Sequence, residues 1–343
     1  GKYVPASSAM YATDAPAGSY VNQTGQSNQT PCSAGTYQAL TGQVTCDNAD
    51  AGYYVDSSLG TGQTSQTACL AGTYNPSTGS MNSSACGDAA AGYYVSSMGQ
   101  SNQTACLAGT YQILTGQTTC DDADAGYYAS SIGQSNQTAC SAGTYQALTG
   151  QVTCDDAEAG YYVSQMAQTN QSECGLGSYQ PLIGQSFCDD ADAGYYVVQL
   201  AQINQTECGL GTYQPLTGQS SCDDADAGYY VDQLAQLNQS ECGLGTYQPL
   251  TGQSSCDDAD AGYYVDQMAQ NNQTECVLGT YQALSGQSSC DDADAGYYVE
   301  QIAQTNQTEC GLGTYQSLIG QSSCDNADAG YYVDQTAQTN QTE

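Results

Sequence analysis

No long apolar run occurs in this chain; its apolar residues come singly or in short groups on a fixed beat. In Gly143-Thr-Tyr-Gln-Ala-Leu-Thr-Gly-Gln-Val-Thr-Cys154, two short runs of strand-forming residues flank Thr149-Gly150. The glycine there is free to take a positive φ, so the pattern predicts a small β-hairpin closed by a tight turn. The signal repeats as Gly109/Tyr111, Gly126/Tyr128, Gly143/Tyr145 and Gly160/Tyr162, each 17 residues after the last, and 20 Gly-x-Tyr pairs occur in all. The basic unit is a 17-residue hairpin.

A longer period is superimposed on it. From Cys106 onward the cysteines alternate at separations of 14 and 20, a 34-residue unit running through Cys140, Cys174, Cys208, Cys242, Cys276 and Cys310. The units Cys32 to Cys69 and Cys69 to Cys106 are 37 long, each with a three-residue insertion. Periods of this size mark repeat arrays. The organisation predicted is a single array over 1–343 of about ten units, more divergent over 1–105 and nearly identical over 106–343.

Aligning the two halves of a unit bears on the cysteines. Ala123 stands where Cys106 stood and Gln137 where Cys120 stood, so both cysteines are absent together, as bonded partners would be. Pairing Cys120 with Cys140 would also leave Cys32 and Cys324 without intrachain partners. The predicted bonds are Cys32/Cys46, Cys69/Cys86, Cys106/Cys120, Cys140/Cys154, Cys174/Cys188, Cys208/Cys222, Cys242/Cys256, Cys276/Cys290 and Cys310/Cys324. Each closes a loop worth roughly 3 kcal/mol in the chain-entropy model.

Composition explains why such staples are needed. Ile, Leu, Val and Phe number only 40 of 343 residues, too few for an ordinary core. Tyrosines, 30 of them, are expected to form a ladder of rings in place of aliphatic packing, rather than a carbohydrate platform. Pro181, Pro215 and Pro249 fall in the first run of their hairpins, which suits strands with an unpaired edge. If each hairpin adds two strands to one stack, the rise is about 10 Å per hairpin.

One Lys+Arg and no His face 35 acidic residues, for a net charge of -34. A chain whose only cationic side chain is Lys2 has nothing to replace the counterions of nucleic acid or to hold an anionic membrane surface. No stretch is long and apolar enough for membrane insertion. Eighteen cysteines without His or Cys-x-x-Cys lack zinc-site spacing and point to disulfides in an oxidising, extracellular location, secreted or at the cell surface.

The run Cys-x-Ala-Gly-Thr-Tyr, then Gly-Gln and a second Cys 14 residues after the first, resembles the cysteine-rich ephrin-receptor-like modules. It is more distantly similar to growth-factor-receptor and tumour-necrosis-factor-receptor repeats. The match is clearest at Cys106 to Cys120, Cys140 to Cys154 and Cys310 to Cys324. That family usually has a further Cys three residues after the second, where this chain has Ala123, Ala157 or Ala191. The resemblance implies extracellular rods and stalks, and hardly any activity.

Three motifs carry candidate chemistry. Asn-x-Ser/Thr occurs at Asn22, Asn28, Asn82, Asn102, Asn136, Asn170, Asn204, Asn238, Asn272, Asn306 and Asn340, from Asn102 on at one phase of every unit. N-linked glycans are expected there, against the alternative that Asn-Gln-Thr is polar turn chemistry copied by duplication. The second motif is Cys-Asp-Asp-Ala-Asp. It recurs as Asp121/Asp122/Asp124, Asp189/Asp190/Asp192, Asp223/Asp224/Asp226, Asp257/Asp258/Asp260 and Asp291/Asp292/Asp294. Calcium is a candidate ligand for such carboxylates, although the spacing and terminal Glu of an EF-hand are missing, and a solvated turn that keeps neighbouring chains apart is the alternative. The Gly209-Leu-Gly211 run lacks the third Gly of a dinucleotide loop and reads as turn spacing.

Catalysis has no foothold, because identical exposed sites supply neither a perturbed acid nor a nucleophile beside its base. No cofactor and no small-molecule substrate are expected. The fold class predicted is mostly β: disulfide-stapled tandem hairpins forming an elongated, solenoid-like rod. The function expected is structural, as the subunit of a filament, cell-surface hair or coat, with the stalk of a receptor or adhesin as the alternative. The chain begins and ends mid-repeat in nearly the same register, so end-to-end self-association, or a window on a longer repetitive chain, is the expected arrangement.

Overall fold

The computed structural model describes residues 1–6 and 11–343, which form two-residue strands, two 3-10 turns and coil. Each Gly-x-Tyr opens a hairpin. Thr144–Tyr145 pairs antiparallel with Asp155–Asp156, Thr144 opposite Asp156 and Tyr145 opposite Asp155. In the alternate half, Tyr127–Tyr128 pairs with Thr138–Ala139. Among the described residues every ladder is a separate two-stranded sheet, nineteen in all. A stack growing by two strands per hairpin is therefore not what forms.

The strands are shorter than the alternation suggests because Gln146, inside the first run, is occupied with its own loop. Its Oε1 accepts the Leu148 N–H at 3.0 Å and its Nε2 donates to the Thr153 carbonyl at 3.0 Å. The tight turn expected at Thr149-Gly150 is instead the middle of the loop 146–154, with Gly150 at φ 71. Pro181 lies in the equivalent loop beyond Ser178–Tyr179, so it meets no ladder.

Eight disulfides close hairpins at a sequence separation of 14: Cys32–Cys46, Cys106–Cys120, Cys140–Cys154, Cys174–Cys188, Cys208–Cys222, Cys242–Cys256, Cys276–Cys290 and Cys310–Cys324. Cys69–Cys86 spans 17 because its hairpin absorbs three extra residues as one 3-10 turn, Ser83–Ala85, capped by the Asn82 side chain. The other insertion is likewise one 3-10 turn, Ser57–Leu59, capped by Asp56. Three residues make one 3-10 turn, so the strands on either side keep their phase. No described cysteine is free, the state of a chain matured in an oxidising compartment. Among the described residues no helix is long and apolar enough to cross a membrane.

The tyrosine ladder gives way to a different core. The strand tyrosines Tyr127, Tyr128 and Tyr145 are only half-buried. Buried instead are two narrow columns, one of small side chains and one in which glutamine alternates with a small apolar residue. One, three residues before each leading glycine, alternates alanine and cysteine: Cys106, Ala123, Cys140 and Ala157 are all 0% exposed. The other, three residues after that glycine, alternates glutamine with valine or alanine, as in Gln112, Ala129, Gln146 and Val163. Side chains this small allow backbone to meet backbone. Gly143 has φ +89, and a Cβ there would fall on the carbonyl oxygen of Gly184.

The chain divides into two compact units. The first comprises 1–158, 162–172 and 183–187, and the second 159–161, 173–182 and 188–343. Both use the same bonds between hairpins. In the first, Gly126 N–H donates to the Gln146 carbonyl at 2.7 Å, Ala129 N–H to Gln151 at 3.0 Å, and Gly150 N–H back to Ala123 at 2.7 Å. In the second, Gly228 donates to Gln248 at 2.7 Å, Val231 to Gln253 at 3.0 Å, and Gly252 back to Ala225 at 2.8 Å. A hairpin is thus tied to the next one and to the one after. This backbone network ties each hairpin to its neighbours, consistent with the need to satisfy every buried peptide group.

Candidate functional site

Functional surface is best sought in what the hairpin positions repeatedly. All eleven sequon asparagines are exposed: Asn22, Asn28, Asn82, Asn102, Asn136, Asn170, Asn204, Asn238, Asn272, Asn306 and Asn340. The central residue of the motif has a structural task that the sequence did not reveal. Gln137, between Asn136 and Thr138, accepts the Asp124 N–H on Oε1 at 2.6 Å and donates from Nε2 to the Asp124 carboxylate at 2.6 Å. The same clamp joins Gln205 to Asp192, Gln239 to Asp226, Gln273 to Asp260 and Gln307 to Asp294. The signal was available: an acid lies 13 residues before a sequon glutamine in each of these units.

This clamp divides the acidic triplet. Asp124 turns to Gln137, while Asp121 Oδ2 faces Gln112 Nε2 at 3.3 Å. Asp122 sits by the loop glycine Gly150 two hairpins on. Among the described residues no group of three or more His, Cys, Asp or Glu is arranged to hold a metal ion. Two of the three carboxylates act on a phenol instead. The Tyr111 pKa is raised above its ordinary 10.0 by burial first, then by the nearby charges of Asp124 and Asp121. Tyr37, Tyr179, Tyr213, Tyr247 and Tyr281 are raised by the same causes.

A second surface recurs where an unstapled hairpin meets the stapled one after it. There a shallow groove is lined by a tyrosine and by hydroxyl-bearing side chains. At Tyr128 it is lined by Thr138, Ser141, Thr144, Thr153 and Cys154 and has a volume of about 440 Å³. Equivalent grooves open at Tyr20, Tyr94, Tyr196 and Tyr230, from about 250 to 560 Å³. The smallest is the one at Tyr94, where Leu107 stands in place of Ser141. Loop tips elsewhere carry exposed aliphatics at fixed phase, including Leu114, Leu148, Leu182 and Leu216. Lys2 contacts Asp14 at 3.6 Å, an exposed pair of little energetic weight.

Comparison with protein-family models finds no match, and comparison with curated proteins finds none either.

Proposed function

We propose that this chain is a structural extracellular glycoprotein, an elongated, solenoid-like rod that serves as the subunit of a filament, cell-surface hair or coat and performs no catalysis. The observation that carries this reading is the recurrence of one set of hairpin-to-hairpin backbone bonds in both units, as in Gly126 to Gln146 and Gly228 to Gln248. Contacts that reach only the next two hairpins are those of a quasi-one-dimensional array, in which each added hairpin is held as its predecessor was. A second copy presenting the same hairpin offers the same donors and acceptors, which makes end-to-end self-association the partner expected. The resemblance of the stapled hairpins to ephrin-receptor-like modules fits an extracellular rod.

Glycans on the exposed sequons, recurring at one phase, would hydrate a surface that also bears repeated aliphatic tips such as Leu148. Calcium held by the acidic triplets has less support, because Asp124 is committed to Gln137. Electron microscopy of the native material, with sedimentation over a concentration series, tests the proposal. Filaments with a helical repeat set by the hairpin are expected. A concentration-independent monomer would instead favour the stalk of a receptor or adhesin.

A further inference from the structure

Two of the grooves share residues with sequons. Thr138, the third residue of Asn136-Gln-Thr, lines the groove at Tyr128. At Tyr20, Thr30 of Asn28-Gln-Thr lines the groove, and so does Asn22, itself a sequon asparagine. We infer that the grooves at Tyr128 and Tyr20 seat the core N-acetylhexosamines of the N-glycans carried by the adjoining asparagines. The inference rests on the glycoprotein reading above and specifies where its sugars lie.

Chemistry and geometry converge on that occupant. A tyrosine ring offers an apolar face to the C–H side of a pyranose, and hydroxyl walls can exchange hydrogen bonds with its edges. In the Tyr128 groove Thr144 Oγ1 donates to the Ser141 carbonyl at 2.9 Å and accepts from Ser141 Oγ at 3.5 Å, which leaves one lone pair open to a sugar hydroxyl. Thr138 and Thr153 hydroxyls make no hydrogen bond to protein among the described residues. Gln137 is drawn toward Asp124, while Asn136 and Thr138 on either side of it are both exposed. The volume, about 440 Å³, falls within the range of roughly 300–1,000 Å³ that holds small ligands. A free sugar would bind such an open site weakly. A glycan tethered beside it needs little affinity, because attachment supplies a high effective concentration.

The chain supplies a variant for the test. Leu107 occupies the position of Ser141 in the neighbouring unit, whose groove measures about 250 Å³, so Ser141→Leu is a change the repeat already tolerates. Wild-type and S141L full-length chains are secreted from the same glycosylating host. Each is then treated, folded and with disulfides intact, with an endoglycosidase that cuts between the two core N-acetylhexosamines. Release from Asn136 and Asn204 is followed by peptide mass. Seating predicts that S141L speeds release at Asn136 by roughly two- to tenfold while release at Asn204 is unchanged. Equal rates at a glycosylated Asn136 overturn the seating and leave the glycoprotein reading intact. An unmodified Asn136 in the starting mass overturns the seating, and unmodified mass at all the sequons overturns the glycoprotein reading as well.

Discussion

Gln137 stands in for a disulfide. Its amide meets the backbone and carboxylate of Asp124 with two bonds of 2.6 Å, at the position where the preceding hairpin carries Cys120 bonded to Cys106. Ala123, the counterpart of Cys106, is as fully buried as that cysteine, at 0% exposure. The 34-residue period is therefore one backbone unit closed alternately by a covalent staple and by a charge-assisted hydrogen-bond clamp.

The two closures should be interchangeable. Ala123→Cys with Gln137→Cys places a cysteine pair on the geometry that holds Cys106 and Cys120 with Cα atoms 5.8 Å apart. We expect the bond to form without disturbing its neighbours and to stabilise that hairpin by about 3 kcal/mol, less about 1 kcal/mol for the lost clamp. Non-reducing peptide mapping and hydrogen exchange across 124–139 check both parts. Scrambling with Cys120 or Cys140 would show that the alternate half cannot hold the staple.

Glycine and alanine exchange roles along the array. Loops that carry Gly99 and Gly133 in early units carry Ala167, Ala201 and Ala235 later, at φ 59, 54 and 56. Alanine in this left-handed region is strained by roughly 1–2 kcal/mol. Ala167→Gly is expected to raise thermal stability locally despite the added freedom of the unfolded chain. Gly143→Ala should do the reverse and severely, because its Cβ would strike the Gly184 carbonyl. Amide hydrogen exchange in the hairpins around 143 and 167 changes in opposite directions in the two variants if backbone contact sets the spacing of hairpins.

Much of this architecture was legible in the sequence, because repetition turns weak local signals into strong ones. One Gly-x-Tyr means little, whereas twenty in phase fix the unit. The buried columns were harder to read. Tyrosine is the conspicuous large residue, yet Ala123, Val163 and Gln146 fill the interior, since hairpins that exchange backbone bonds leave room only for narrow side chains. Ladder length was missed because Gln146 diverts the first run into its own loop. Periodicity alone does not reveal a side chain that bonds its own backbone. The grooves needed two hairpins to be placed side by side.

Alkaline pH should loosen the stapled hairpins. Burial, then Asp124 and Asp121, holds the Tyr111 pKa above 10.0, so the fold favours the neutral phenol. A pKa raised on folding contributes stability that is full below the unfolded value and is lost as pH rises through the folded one. Unfolding should therefore set in above about pH 10. Ultraviolet titration of tyrosinate is expected to show a late class that reverts on denaturation. Asp124→Asn should move Tyr111 toward earlier titration, and no change in that class would separate the phenol from its carboxylates.

The alternation of Gln146 and Val163 in one buried column is the sharpest test of how the halves differ. Gln146 bridges the Leu148 N–H and the Thr153 carbonyl across its loop, whereas Val163 makes only backbone bonds, its N–H donating to Gln185 at 3.0 Å. Gln146→Val keeps the site filled but strips the loop of both partners, a loss of about 2 kcal/mol. Val163→Gln brings an amide to a loop without matching groups, and burial of unpaired polar atoms costs about 1–3 kcal/mol. An array of this kind need not unfold in one step, so a single melting temperature would blur both effects. Amide hydrogen exchange resolves them. Leu148 should exchange roughly thirtyfold faster in Gln146→Val, the equivalent of about 2 kcal/mol of local opening, while Ala129 and Gly116 stay protected. In Val163→Gln the fast exchange should appear at Gly143, whose N–H donates to the Val163 carbonyl at 2.8 Å. Unchanged protection at Leu148 would mean that the disulfide Cys140–Cys154 alone shapes the loop, and that the glutamine column fills space rather than ordering chain.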